Sequence, residues 1–462
     1  PREYLLAVVE SSLGDLDTAR RHLEVAREIA EQSDDARTLL KCQLHSFELV
    51  SEYGSAVQRD EAIAEVEQIL QRTQAGAARV DELAALTYQL GAALIRTGRR
   101  SEAADALERG FKTCSSEYWR MRMANALSAS AYYLGRFEEA LDWLTKSWQI
   151  AEGAAQDSFK ARILHNRGGV LYALGRLRQA IDEDALSAKW ARRTGNPNEY
   201  SWACAGMSID LTLLGRYEEA IERAREAQRT AELLGDPGEV AKAMELQALA
   251  YYHIGDSEIS ESLARNGLEL LAGGGIVGVR PRLEWLMARI SADRGDFARS
   301  EELLEHAESV LLETRDWEDL PGVQIELSRI RARGDSFEKS LQDIRRLALS
   351  DGRPGPLLVQ LYASLAIGEI LVNHKIDDIE DRAFLQDALG RSEDAGIVEV
   401  GWRLSYYIGE LTARRGGSRS VQARFRHALH SIRQVADGLR PQNRKRFLAR
   451  ADVKIVLDRV AH

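Results

Sequence analysis

A glycine that recurs at nearly constant spacing is the feature that most constrains the fold of this chain. Seven such glycines lie 37, 40, 40, 40, 40 and 39 residues apart: Gly98, Gly135, Gly175, Gly215, Gly255, Gly295 and Gly334. Gly14 and Gly54 keep a similar step upstream, and turns near Lys375 and Gly416 continue it downstream. A period of this length indicates a repeat architecture, in which each supersecondary unit is stacked on the next.

Each repeat reads as two amphipathic helices joined at the glycine. In the segment ANALSASAYYLGRFEEALDWLTKSWQIAE, apolar residues recur at helical spacing on both sides of Gly135. Glycine ends the first helix because it adopts the left-handed cap conformation without a Cβ clash. A small residue five positions beyond the glycine, such as Ala140, Ala180 or Ala220, is expected to let the two helices cross closely.

These features resemble the tetratricopeptide repeat. The shared positions are the turn glycine, the alanine of the second helix, and a small residue in the first helix, here Gly91, Ser128, Gly168, Ser208 and Ala248. The common unit has about 34 residues, whereas this chain is similar to the longer units of peptide-binding spindle adaptors, bacterial quorum-peptide receptors and sensor arrays of bacterial signalling ATPases. The resemblance covers almost the whole chain, but the repeat is a scaffold that serves many functions.

The resemblance implies an all-α fold, namely a right-handed superhelical solenoid of about 11 antiparallel helix pairs. We expect this solenoid to span residues 1–438, with a loop or hinge near 272–281. Residues 439–462 are expected to form one C-terminal capping helix, because solenoids need a polar terminal cap. Pro1, in place of Met within a helix-like segment, indicates a fragment of a longer chain.

Composition narrows the possible functions. A net charge of -10 and a pI of about 5.6 argue against direct nucleic-acid binding. The sequence contains no long apolar run, so no membrane span is expected. Cys42, Cys114 and Cys204 are too far apart in sequence to indicate a disulfide framework, which favours a cytoplasmic location. Arginine outnumbers lysine, a bias typical of GC-rich bacterial genomes.

The stretch LAGGGIVGVR contains Gly273, Gly275 and Gly278 at the spacing of a dinucleotide-binding turn. That motif requires a preceding strand inside a βαβ unit, and here a helical pattern precedes it. We therefore interpret the loop as a connector. His427 and His430 lie three residues apart on a predicted helix, but no acidic or cysteine partner is near them in sequence. The sequence predicts no cofactor, no metal site and no catalytic motif, so we expect no enzymatic activity.

The first helix of each pair lines the concave surface that repeat arrays use for binding. Positions 13, 10 and 3 residues before each turn glycine are expected on that surface. With neighbouring residues, they predict these partner-binding side chains: Tyr88, Arg122, Asn125, Tyr132, Arg162, His165, Asn166, Tyr172, Trp202, Lys242, Glu245, Tyr252, Arg282 and Trp285. Arginine and tyrosine are typical binding anchors. The alternative is that these residues make contacts between repeats or line a solvated groove.

The leading hypothesis is a non-catalytic interaction module that holds a peptide, a disordered segment or a partner domain in its groove, as part of a larger bacterial regulatory protein. Because the groove residues include several arginines, an acidic protein or peptide partner would fit. The alternative is a ligand-sensing array, in which a small molecule or signal peptide controls an attached effector domain. The sequence does not indicate the oligomeric state.

Overall fold

A computed structural model of the chain describes residues 2–12, 16–33, 35–53, 56–73, 80–273, 278–314, 318–334, 337–350, 353–354, 356–415 and 418–461. The turn glycines Gly14, Gly54 and Gly416 lie outside these ranges, as does Gly275 of the glycine-rich loop. The chain divides into two compact units, unit 1 at Pro1–Ile163 and unit 2 at Leu164–His462. The boundary falls inside a helix and away from the hinge predicted near 272–281.

Unit 1 is helical throughout its described residues. Its helices are α1 (Arg2–Ser12), α2 (Leu16–Gln32), α3 (Ala36–Tyr53), α4 (Ala56–Thr73), α5 (Val80–Arg96), α6 (Arg100–Thr113), α7 (Glu117–Tyr133), α8 (Phe137–Gly153) and the first part of α9 (Asp157–Ala173). Buried aliphatic side chains from successive helices form its core, including Leu86, Leu94, Leu107 and Leu127.

Unit 2 continues the helical pattern from α9. Its helices are α10 (Leu177–Thr194), α11 (Pro197–Leu213), α12 (Tyr217–Leu234), α13 (Pro237–Ile254), α14 (Ser257–Leu270), α15 (Val279–Asp293), α16 (Phe297–Thr314), α17 (Leu320–Arg331), α18 (Phe337–Ala348), α19 (Leu357–Asn373), α20 (Ile379–Ala395), α21 (Val398–Ala413), α22 (Ser418–Asp437), α23 (Pro441–Ala449) and α24 (Ala451–Ala461). A short 3-10 helix covers Leu271–Gly273. Two-residue strands β1 (Leu349–Ser350) and β2 (Arg353–Pro354) pair antiparallel between α18 and α19.

The described residues confirm the predicted all-α class, with this small hairpin as the one addition. The number of pairs and the handedness of the superhelix stay predictions. Helix α14 and a 3-10 turn precede the glycine-rich loop, and α15 begins at Val279. The described residues on both sides of that loop are thus helical, without the preceding strand that a dinucleotide-binding turn requires.

Six of the seven turn glycines take the predicted left-handed conformation, whereas the φ of Gly334 lies outside the left-handed region. Gly98, Gly135, Gly175, Gly215, Gly255 and Gly295 all have φ between 72° and 89°. At Gly255 the constraint is also steric, because a Cβ there would lie 2.8 Å from Cγ of Arg450. These positions end one helix and start the next, as the repeat period indicated.

The small residues after each turn lie where the paired helices cross. Ala103, Ala140, Ala180 and Ala220 are fully buried, as are Ser260 and Ser300. In the α11–α12 and α13–α14 pairs a serine hydroxyl also joins the helices at this crossing: Ser208 donates to the Ala220 carbonyl at 2.9 Å, and Ser260 donates to the Ala248 carbonyl at 2.8 Å. Small side chains here allow close approach of the two backbones.

Unit 2 packs its early helices against its late ones. One buried cluster joins Leu177 of α10 to Leu361 of α19 and Leu404 of α21. A second joins Tyr217 of α12 to Trp402 of α21 and Val435 of α22. Unit 2 therefore closes on itself instead of extending with contacts between neighbouring repeats alone.

The C-terminal segment differs from its prediction in the number of helices. The single capping helix predicted for 439–462 is two helices, α23 and α24, separated at Arg450. They pack into the middle of unit 2: Phe447 is fully buried in the cluster that contains Tyr217. Arg446 pairs with Asp256 at 2.5 Å, and Asn443 donates to Glu218 at 2.8 Å. We call α23 and α24 the C-terminal helix pair.

No helix within the described ranges is long and apolar enough to span a bilayer.

Candidate functional site

In unit 1, the predicted residues Tyr88 and Arg122 meet. The Arg122 guanidinium lies 4.3 Å from the centre of the Tyr88 ring and 5.4 Å from that of Trp119. It also donates to the Tyr118 hydroxyl at 3.0 Å. Because Arg122 is enclosed by three aromatic rings, a cation–π contribution accompanies this hydrogen bond. Tyr88 and Arg122 were predicted from the repeat register, whereas Tyr118 and Trp119 were not.

The other predicted residues of unit 1 are half-buried along α7 and α9. Tyr132 makes edge contacts with Tyr133 and Phe137, with ring centres 5.2 and 5.6 Å apart. Asn125 accepts a hydrogen bond from Ser128 through its main-chain carbonyl. The Arg162 guanidinium lies 6.0 Å from the centre of the Phe159 ring.

Four predicted residues at the start of unit 2 lie on α9 and α11. His165 Nδ1 lies 2.7 Å from Asp184 Oδ1, and burial raises the pKa of that carboxyl. Tyr172 packs against the cluster that contains Leu177. Asn166 and Trp202 are half-buried. Of these four, His165 has its ring joined directly to a buried carboxylate.

The predicted residues Glu245 and Arg282 form an ion pair between α13 and α15. Arg282 Nε lies 3.2 Å from Glu245 Oε2, and its Nη1 lies 3.1 Å from Asp319 Oδ2. Burial raises the pKa of Glu245, although the Arg282 charge opposes that rise. Lys242 lies 3.6 Å from Glu239 in the preceding turn of α13. The arginine that the sequence analysis identified as a binding anchor thus already holds two carboxylates.

Tyr252 and Trp285 each contact a residue that the sequence analysis did not select. The Arg289 guanidinium lies 4.6 Å from the centre of the Tyr252 ring. Trp285 meets Tyr362 edge to face, with ring centres 5.9 Å apart. Gly322 of α17 makes this possible, because a Cβ there would lie 2.5 Å from the Trp285 ring.

Five alternate helices of unit 2 bring polar side chains together around Arg289. The charges or hydroxyls of Tyr252, Glu326, Tyr362 and Arg403 all lie within electrostatic range of its guanidinium. These five residues, which we call the inner cluster, come from α13, α15, α17, α19 and α21. All five are half-buried. The faces of these helices therefore point toward one another.

Burial and neighbouring charges set the protonation of the inner cluster. Burial raises the pKa of Tyr252 to about 12, although the Arg289 charge opposes this shift. Burial would also raise the pKa of Glu326, but the charges of Arg329 and Arg289 outweigh it and hold this pKa below its usual range. At neutral pH the tyrosine is therefore neutral and the glutamate ionised.

The neighbouring arginines have carboxylate partners. Arg329 lies 2.7 Å from Glu326 and 3.0 Å from Glu369. Arg403 lies 3.0 Å from Glu399 and 2.8 Å from Asp452. Arg289 differs from both, because within the described part of the chain it has the Tyr252 ring beneath it and no hydrogen-bond acceptor.

The two histidines on α22 differ in their surroundings. His427 Nδ1 lies 2.9 Å from the Ser405 hydroxyl, and Nε2 lies 3.4 Å from Glu393. His430 is exposed. Across the described ranges, no group of three or more histidine, cysteine, aspartate or glutamate side chains is arranged to hold a metal ion.

Comparison with known proteins agrees with this architecture. A family model of the tetratricopeptide repeat matches residues 3–24. The crystal structure of NprR in complex with its cognate peptide NprX aligns over 77% of this chain and 98% of that chain, with a TM-score of 0.51 and 14% identity. This protein has a tetratricopeptide-like fold.

Other structures also align with this tetratricopeptide-like chain. The apo form of the quorum sensor NprR from B. thuringiensis aligns over 89% of this chain and 100% of that one, with a TM-score of 0.43 and 12% identity. A Rap protein complexed with competence and sporulation factor aligns over 87% and 99%, with a TM-score of 0.46 and 12% identity. Among curated proteins, no significant match is found.

The tetratricopeptide-like register explains why Arg289 was missed. Positions 13, 10 and 3 before the turn glycine leave out position 6, although steps of 3, 4 and 3 residues follow one helix face. Arg289 is six residues before Gly295 and lies on the same face as Arg282 and Trp285. Tyr362 and Arg403 each lie 13 residues before a turn that continues the spacing, at Lys375 and Gly416, so the same rule reaches them when it is extended to those turns.

Proposed function

We propose that the chain is a non-catalytic interaction module that binds a peptide or an extended protein segment. The observation that carries this proposal is the inner cluster of unit 2, where five alternate helices present aromatic, cationic and hydroxyl groups to one another. Such a surface offers the anchors that protein interfaces favour, namely tyrosine and arginine. The solved NprR–NprX complex, which shares this fold, supports a peptide as the ligand.

In this proposal, the predicted residues of the first helices are the contact set. Glu245, Arg282 and Trp285 flank the inner cluster and would fix the register of a bound segment. Tyr88, Arg122, Asn125, Tyr132 and Arg162 would form a separate contact surface in unit 1. We place the chain in the bacterial cytoplasm, as part of a regulatory protein, with an acidic protein or peptide as its partner.

A selection experiment tests the proposal without assuming a partner. A phage library displaying random dodecapeptides is selected on the wild-type chain, and recovered peptides are synthesised and titrated calorimetrically. We expect saturable binding that weakens in Tyr362→Ala for unit 2 or in Arg162→Glu for unit 1. The exposed residue Arg299, paired with Glu302 on α16, supplies the control Arg299→Glu.

Three outcomes would count against the module. The first is that no peptide is enriched on a well-folded wild-type protein. The second is equal binding by the wild-type chain and both surface variants. The third, binding of a small molecule in place of any peptide, would favour the ligand-sensing alternative. Circular dichroism on each variant separates loss of binding from loss of fold.

A further inference from the structure

Arg289 differs from the other arginines in and beside the inner cluster in having no carboxylate at hydrogen-bond distance among the described residues. Arg282, Arg329 and Arg403 each hold two carboxylates at hydrogen-bond distance. Arg289 has the same half-buried setting but no acceptor among the described residues for its five N–H donors. A half-buried guanidinium without an acceptor loses hydration that nothing in this part of the chain replaces.

The Tyr252 ring positions the guanidinium without using its donors. A ring face attracts the cation electrostatically and accepts no in-plane N–H bond. One helical turn earlier on α15, the buried Nε1 of Trp285 also has no acceptor. This face of α15 thus carries two donor side chains, Trp285 and Arg289, that lack an acceptor within the described residues.

The surrounding charges indicate which anion would fit. Arg403 lies within electrostatic range of Arg289, but its charge is balanced by Glu399 and Asp452. Arg289 has no such partner at hydrogen-bond distance among the described residues, so its positive charge would attract a negative group. Glu326 also faces the pair, which disfavours a doubly charged anion such as phosphate. A carboxylate carries one charge and matches the planar fork of arginine bidentately.

We propose that Arg289 is the carboxylate-binding subsite of the inner cluster, where its guanidinium donates to the carboxylate of a bound peptide. Tyr252 and Tyr362 would contact the apolar or aromatic residue beside that carboxylate. This inference rests on the proposed peptide-binding function and specifies the chemistry of one subsite. The carboxylate can come from an aspartate or glutamate side chain or from the peptide C-terminus.

Three synthetic pools of acetylated random octapeptides distinguish these sources. All randomised positions exclude Asp and Glu. The first pool ends in an amide, the second ends in a free carboxylate, and the third ends in an amide but has a fixed central Asp. The bound fraction of each pool is measured by affinity selection and mass spectrometry on the wild-type chain.

We expect the wild-type chain to retain at least one carboxylate-bearing pool about tenfold more than the neutral pool, as a charge-assisted hydrogen bond predicts. Arg289→Gln should reduce retention to the level of the neutral pool. Arg289→Lys should restore part of the preference, because it keeps the charge but not the fork. Arg299→Gln, at an exposed arginine of α16, should behave as wild type.

The outcomes separate the two levels of the proposal. Retention of no pool by folded protein would contradict the peptide-binding function and the subsite together. Equal retention of neutral and carboxylate-bearing pools would overturn only the subsite. A carboxylate preference that survives in Arg289→Gln, with its helical spectrum unchanged, would place the subsite elsewhere.

Discussion

Glu399 is a buried carboxylate of unit 2 that side chains from several segments share. Its carboxylate accepts hydrogen bonds from the Tyr217 hydroxyl at 2.9 Å, from Trp402 Nε1 at 3.2 Å and from Arg450 at 2.6 Å. Burial alone would raise its pKa, but the charges of Arg450 and Arg403 hold the pKa well below the usual range. Glu399 is therefore ionised in the native state. Loss of one of its partners, or of Glu399 itself, leaves a buried charge without compensation.

His253, beside this carboxylate, should make unit 2 sensitive to mild acid. Burial lowers the pKa of His253 to about 4, whereas an unfolded histidine titrates near about 6.5. Between these values the unfolded state binds a proton that the native state does not. The stability of the native state therefore rises with pH across this window. We expect a loss of about 2 kcal/mol from this residue between about pH 7 and pH 5.

Urea titrations of the wild type and His253→Phe at both pH values measure that contribution. Phenylalanine keeps an aromatic ring against Tyr217, which stacks on His253 at 5.6 Å. The variant should lose less stability on acidification than the wild type, and His430→Phe, at an exposed position, should match the wild type. Identical pH dependence in the wild type and His253→Phe would show that folding does not lower the pKa of His253.

Two glycines of unit 2 should respond to alanine in opposite directions. A Cβ at Gly206 would lie 2.1 Å from Asp184 Oδ2, and Asp184 is buried and bonded to His165. Gly169 is exposed on α9, with nothing within 4 Å of an added Cβ. We expect Gly206→Ala to destabilise by about 1–3 kcal/mol through overpacking, and Gly169→Ala to stabilise by up to about 1 kcal/mol. Equal midpoints in urea for both variants would contradict this.

At the scale of the helix, the sequence was informative wherever contacts are local. The turn glycines, the small residues after them and the alternating amphipathic helices follow from a period of about 40 residues, because each depends on neighbours within one repeat. The C-terminal helix pair could not be placed in this way. Asn443 bonds to Glu218, 225 residues earlier, and no local pattern encodes that pairing.

The same limit applies to the candidate site. The rule of positions 13, 10 and 3 found Glu245, Tyr252 and Arg282, since these follow the helix register. It could not show that Arg282 is already held by two carboxylates while Arg289 is not. Whether an arginine is already paired with carboxylates depends on which side chains meet across several helices. The spacing within one helix carries no information about those contacts.

The C-terminal helix pair should be anchored by Phe447. This side chain is fully buried in the cluster with Tyr217, so Phe447→Ala is expected to cost about 3–5 kcal/mol. Hydrogen exchange should increase in α23, α24 and α13. Ile455 of α24 is 47% exposed, and Ile455→Ala serves as the control with little change. A cost below about 1 kcal/mol for Phe447→Ala would show that the helix pair is held by its ion pairs instead.

At the scale of the molecule, unit 1 and unit 2 differ in how their helices are joined. Unit 2 has clusters that link α10 to α19 and α12 to α22. Glu399 lies where α12, α21 and the C-terminal helix pair meet. Disruption at this residue should therefore spread through distant parts of unit 2.

Glu399→Gln tests this prediction. The substitution keeps the side-chain shape but removes the charge that Arg403 and Arg450 share, and breaking a buried pair costs about 3–5 kcal/mol. We expect faster amide exchange in α12, α13, α21 and α23, with α5–α8 of unit 1 unchanged. Glu302→Gln, on the exposed surface of α16, is the matched control. Faster exchange confined to α21 would contradict the idea that this residue joins distant helices.

The return of the C-terminal helix pair to α12 and α13 has a consequence for folding kinetics. A linear repeat array can nucleate anywhere and can lose repeats one at a time. Bonds between residues 225 positions apart instead require a long loop to close before they contribute any stability, which slows folding. On a ribosome, α12 and α13 would emerge long before the segment that covers them. Unit 2 would therefore complete its native state only after its last helix has been synthesised.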